Sequence, residues 1–155
     1  MVGLSFTVTA WNALYGAIPL KPGQTVLWQG NEKLISGELY KANCLYLGTG
    51  GLSITGLILA KAVGATTIVT SSSDEKLEIV KSKFGADYCV NYKKHPEWSK
   101  EVTPITNGEG VDYILKNGGS DTIAESINCV RMGGSVSIIE FLSQGKEMPD
   151  VAGLA

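Results

Sequence analysis

Gly48-Thr49-Gly50-Gly51-Leu52-Ser53 is the stretch whose residue types and spacing suit chemistry. A first glycine permits a tight turn, and a second lets the backbone approach a pyrophosphate. The third slot needs only a small residue where a helix meets a strand, which Ser53 can supply. An apolar run, Cys44–Leu47, precedes the turn, and a second one, Leu52–Val63, follows it. The pattern reads as strand, turn and helix, with the helix's free N–H groups and dipole turned toward phosphate. On this reading Gly48, Gly50, Gly51 and Leu52 contact a dinucleotide. A tight turn with no ligand is the competing reading, because glycine-rich turns are common.

About 20 residues on, NAD-binding domains place an acidic residue on the ribose 2′-hydroxyl. Here that stretch is Thr70-Ser71-Ser72-Ser73, and no carboxylate appears until Asp74. Serine hydroxyls at Ser71 and Ser72, with the Lys76 ammonium close behind, suit a phosphate better than a bare hydroxyl. NADP is therefore expected over NAD. The same residues have a structural reading: Ser72 and Glu75 stand at capping-box spacing for the helix that follows.

Little else in the chain suggests reactivity. Cys44, Cys89 and Cys129 are an odd number and widely spaced, which suits free thiols in a reducing, cytoplasmic setting. His95 is the sole histidine and no C-x-x-C pair occurs, so no zinc site is expected in this chain. No catalytic residue can be named. Thirteen basic residues oppose 15 acidic ones without a basic run, which argues against nucleic acid. The apolar run around Lys61 is too short to span a bilayer. With 44% hydrophobic and 18% charged residues among 155, the composition is that of one globular domain.

The elements that must position this loop follow from the alternation downstream. Thr66–Ser71, Tyr88–Tyr92, Gly110–Lys116 and Gly134–Phe141 read as strands. Between them Glu75–Phe84, Pro96–Thr106 and Asp121–Val130 read as helices. Strands alternating with helices of about ten residues mean βαβ units, hence an α/β, Rossmann-type doubly wound parallel sheet. The helix at Leu52–Val63 is apolar nearly all round and is expected to be covered on both sides.

The segments "TAWNALYG", "LKPGQTVL", "GTGGLSITGLILAKAVGA", "SSSDEKLE", "FGADYCVNY", "GVDYILKNGG" and "GGSVSII" resemble the medium-chain dehydrogenase/reductase family. The likeness is greatest to its zinc-type alcohol dehydrogenase-like and quinone oxidoreductase-like members. It implies a Rossmann domain that uses NADP(H) in reducing or oxidising a carbonyl, quinone or enone. It places Lys76 and Tyr92 at the 2′-phosphate, Thr9 near the nicotinamide, and Asn117 and Gly118 along the cofactor. An edge-strand aromatic is the structural alternative for Tyr92. Lys116 and Glu140 stand where the family usually carries apolar or small residues.

The resemblance also defines departures. The family's N-terminal catalytic domain and its last strand and return helices have no counterpart here, so the sheet is expected to be truncated at both ends. Residues 1–24 match the lead-in helix and linker. Asn31–Gly48 matches nothing; without it, Gln29-Gly30 joins Thr49-Gly50-Gly51 as the family's usual junction. Codons for Gly30-Asn31 and Leu47-Gly48 can contain splice signals, so this stretch reads as retained intron or as a loop insertion.

Two functional readings result. One is an NADP(H)-binding domain that is not catalytic alone. The other is a non-catalytic remnant binding a nucleotide, a partner or a second copy of itself, or a mis-spliced or pseudogene product. The insertion also sets two apolar runs in competition for the first strand. Cys44–Leu47 enters the glycine turn directly, so it is expected in the sheet, with Thr25–Gln29 displaced or at an edge.

Overall fold

The structure is a computed structural model that describes residues 2–29, 51–116 and 123–139, with the side chains of residues 2–6 excepted. Five strands form one parallel sheet: β1 (Thr25–Gln29), β2 (Thr66–Ser71), β3 (Tyr88–Asn91), β4 (Val111–Lys116) and β5 (Val130–Ile138). Their spatial order is β3-β2-β1-β4-β5. Five helices accompany them: α1 (Val2–Tyr15), α2 (Gly51–Val63), α3 (Asp74–Phe84), α4 (Ser99–Ile105) and α5 (Ile123–Cys129).

Period-two alternation in the strands builds two cores. Val26 and Trp28, Val69, and Tyr113 and Leu115 pack with Leu14 of α1, Leu57 and Ala60 of α2, and Leu77 and Val80 of α3. The intervening Leu27, Ile68 and Ile114 pack on the other face with Val102 of α4 and Cys129 of α5. Apolar cover on both faces is what a parallel sheet needs, and it makes the fold doubly wound and Rossmann-like. Helix α2 is only partly covered, since Leu57 and Ala60 are buried while Ile58 is 53% exposed.

The expectation for the first strand is overturned. Thr25–Gln29 holds the central slot: Val26 lies opposite Thr67 on one side and Tyr113 on the other. Cys44–Leu47 and the whole Asn31–Gly48 stretch lie outside the described residues. The reason is the size of the burial. Val26, Leu27 and Trp28 are all at most 1% exposed. Each such side chain contributes roughly 1.5–3 kcal/mol, whereas doubling a loop's length costs only ~0.6 kcal/mol. Helix α2 is also shaped for this strand. A Cβ at Gly56 would fall inside the Trp28 ring, so only glycine lets the helix come this close. At the other end, Asp112 accepts hydrogen bonds from Thr25 N (2.7 Å) and Gln24 Nε2 (3.1 Å) and pairs with Arg131 Nε (2.6 Å). One carboxylate thereby ties β1, β4 and β5 together.

Arg131 also accounts for β5 starting at Val130, four residues before the glycine expected to open it. The weak helix expected at Pro96–Thr106 contracts to Ser99–Ile105. Trp98 stands before it, 1% exposed in the second core, and Ser99 N donates to Glu125 Oε2 of α5 (3.1 Å). Thr9 lies inside α1.

Candidate functional site

Strand order reverses at β1, where the chain first moves out through β2 and β3 and then returns to the far side with β4. In such sheets ligands bind outside the carboxyl ends of the strands at the reversal. The residues at those ends are unusually polar for their burial. Gln29 closes β1, Ser71 closes β2, Asn91 closes β3 and Lys116 closes β4, and they are 2%, 2%, 8% and 0% exposed. The opposite end of the sheet carries the structural Asp112 and Asp87 contacts. Lys61 and Thr67 donate to Asp87, whose carboxyl is held below the usual carboxylate range by those bonds, against the opposing effect of burial.

The corner from β2 into α3 brings several of the expected residues together. Ser71 lies opposite Asn91, and Tyr92 N donates to Ser71 O (3.1 Å), so Ser71, Ser72 and Tyr92 share one edge. Asn91 shapes the turn that carries Tyr92. Its Oδ1 accepts from Lys93 N (3.0 Å), and its Nδ2 donates to Asp74 Oδ1 (2.7 Å). Lys94 pairs with the same Asp74, and these hydrogen bonds hold the Asp74 carboxyl below its ordinary range. Asn91 was not singled out from sequence, although an asparagine ending a strand before Tyr-Lys-Lys is a recognisable turn signal.

The capping box does not form. Ser73, not Ser72, is the N-cap of α3, with extended backbone (φ −120°, ψ 123°) and no side-chain cap bond. The third helical position is then Lys76 rather than Glu75, one residue out of frame for a reciprocal bond. Ser72 turns inward instead: its hydroxyl is buried and meets no partner among the described residues. A buried hydroxyl without a partner costs about 1–3 kcal/mol, so this corner fits a ligand that brings a polar group. Lys76 is half-buried in the first turn of α3.

Gly51 opens α2, and Leu52 and Ser53 are buried (6% and 4%), as expected for a helix start pressed on the sheet. Gly48, Gly50, Asn117 and Gly118 lie outside the described residues. Thr9 is half-buried on α1, which packs beside α2 rather than on the serine corner.

The described residues do not fit a zinc ion: no group of three or more His, Cys, Asp or Glu side chains gathers among them. His95 Nδ1 instead faces Glu101 Oε1 at 3.3 Å. Burial pushes the Cys129 thiol up to about 12 and raises that of Cys89, so neither is a poised thiolate. A cavity of about 380 Å³ lies against the outer edge of β3 and α3, lined by mixed charges including Asp74, Lys81, Lys94 and Glu101. No described helix is long and apolar enough to cross a membrane.

Comparison with known proteins agrees with this architecture. A zinc-type alcohol dehydrogenase-like protein of Schizosaccharomyces pombe is 39% identical over 149 residues, covering 95% of this chain and 38% of that protein. An L-threonine 3-dehydrogenase of Pyrococcus furiosus is 31% identical over 75% of this chain and 33% of its own length. The chain thus spans only about a third of the length of these two curated relatives. Among solved structures, 2-haloacrylate reductase superposes with a TM-score of 0.79 at 27% identity, covering 98% of this chain and 42% of that one. The nucleotide-binding subdomain of the enoylreductase domain of PpsC from Mycobacterium tuberculosis gives 0.67 at 26% identity, covering 88% and 65%. The model of the zinc-binding dehydrogenase family matches residues 51–152. From β2 to β5, then, this sheet is one that family has in common, and the chain belongs to the zinc-binding dehydrogenases of the medium-chain dehydrogenase/reductase family.

Proposed function

We propose that this chain is an NADP(H)-binding domain of an alcohol dehydrogenase-like or quinone oxidoreductase-like enzyme and is not catalytic alone. The observation that carries the reading is the buried, partnerless Ser72 hydroxyl, set beside Ser71 and Tyr92 at the carboxyl edge of β2. In this reading Ser71, Ser72 and Tyr92 hold the adenosine ribose end. Lys76 supplies the charge that a 2′-phosphate needs, while the Asp74 carboxylate at this corner is engaged by Asn91 and Lys94. Gly48, Gly50, Gly51 and Leu52 form the pyrophosphate turn, with Thr9, Asn117 and Gly118 toward the nicotinamide. The bound nicotinamide would supply the hydride chemistry. The residues described here bind and orient; none of them is placed to polarise a carbonyl. A cytoplasmic setting accords with the free thiols Cys89 and Cys129.

The test is equilibrium dialysis of the chain against NADPH and NADH, with turnover assayed on quinone, enone and aldehyde substrates. Tighter binding of NADPH without turnover is expected. Equal binding of the two cofactors would overturn the NADP assignment, and turnover would overturn the non-catalytic one.

One observation favours a second reading, a module that pairs with itself. Among the described strands β5 lies at an edge, with Met132 95% and Ile138 43% exposed, and an edge strand can template another strand. A homodimer formed there leaves the serine corner after β2, three strands away, open to the cofactor.

A further inference from the structure

Asp74 is the first carboxylate after β2 and opens α3, close to where NAD-binding domains carry an acid for the ribose 2′-hydroxyl. A free carboxylate there would accept a hydrogen bond from that hydroxyl and would repel a 2′-phosphate. In this fold both of its oxygens are engaged on the side of β3. Oδ1 accepts from Asn91 Nδ2 (2.7 Å), and Oδ2 pairs with Lys94 Nζ (2.5 Å). The orientation of the Asn91 amide is set by the turn after β3. Its Oδ1 accepts from Lys93 N (3.0 Å) and Lys94 N (3.4 Å), which leaves its amide hydrogens for Asp74. Asn91 is buried and lies opposite Ser71 in the sheet. One asparagine thereby fixes both the turn that carries Tyr92 and the carboxylate at the head of α3.

We propose that Asn91 and Lys94 set the choice of cofactor by holding Asp74 away from the ribose. Asn91 fixes the direction of the carboxylate and Lys94 neutralises it, so the corner accepts a 2′-phosphate. The proposal rests on the NADP(H) reading. It differs from the role given to Lys76, which attracts the phosphate itself, because Lys94 acts only through Asp74. The side chains of Lys94 and Asp74 are 63% and 58% exposed, so their influence on a neighbouring phosphate is electrostatic and screened by salt.

The test is a double-variant cycle on the whole chain: Lys94→Ala, Asp74→Asn and the two together, titrated with NADPH and NADH. At low salt Lys94→Ala should weaken NADPH by about five-fold, the order expected for exposed charges a few ångströms apart in water. NADH should bind unchanged or more tightly. Asp74→Asn should not weaken NADPH, and in its presence Lys94→Ala should have no further effect. Raised salt should shrink the Lys94→Ala effect. A loss of NADPH affinity that persists in the Asp74→Asn background would put Lys94 on the phosphate itself and overturn the proposal. Unchanged NADPH affinity in Lys94→Ala would overturn it too, as would an equal loss for both cofactors, which a merely structural pair would give. Failure of the unaltered chain to bind either dinucleotide, or equal binding of both, would instead sink the underlying reading.

Discussion

Replacing Trp28 with alanine should lower the unfolding free energy by about 3–5 kcal/mol, a large part of the 5–15 kcal/mol typical of a domain. Trp28 is 1% exposed and lies between Val69 and Leu115 in the middle of the sheet, beneath α2. The partner change is Gly56→Ala. In a free helix that substitution gains about 1 kcal/mol, but here the new methyl would enter the indole ring. Overpacking of this kind costs about 1–3 kcal/mol, so a net loss is expected. The two sites should couple: with Trp28→Leu in place, Gly56→Ala should lose its penalty and become neutral or favourable. Urea unfolding of the two single variants and the double variant measures this. Strict additivity would show that the ring and the helix do not meet.

Lys76→Ala should weaken NADPH by roughly ten- to hundred-fold while changing NADH little. A charge-assisted bond to phosphate is worth ~1.5–3 kcal/mol, and only NADPH carries the 2′-phosphate. Lys76 is half-buried in the first turn of α3, just after the serine corner, and forms no salt bridge among the described residues; Asp74 is engaged with Asn91 and Lys94. Isothermal titration of both cofactors against both proteins decides it. An equal loss for the two cofactors would remove Lys76 from the 2′-phosphate.

Most of the architecture was legible in the sequence because β2, β3 and β4 announce themselves by apolar runs bounded by turn residues. The βαβ alternation and parallel sheet follow from that. The first strand was misjudged because continuity with the glycine turn was weighed above burial. What fixes Thr25–Gln29 in the centre is a fit between Trp28 and Gly56, residues far apart in the chain, and no local pattern displays such a fit. The capping box failed for a smaller reason, a one-residue shift of the helix start that turned Ser72 inward. Ser71 and Ser72 were singled out by their distance from the glycine turn and Tyr92 by the family resemblance, but the adjacency of the three depends on the β2–β3 register. Asn91 was missed although its turn signal was there to read, whereas the amide of Gln29 gives no signal until its partner Ser126 is known.

The most direct test of the NADP(H)-binding reading is hydrogen–deuterium exchange of the whole chain with and without saturating NADPH. Slower exchange is expected at the start of α2 and across Ser71–Lys76 and Tyr92, with α4 unchanged. Exchange that is unaltered at both of those places, or slowed only along β5, would contradict it.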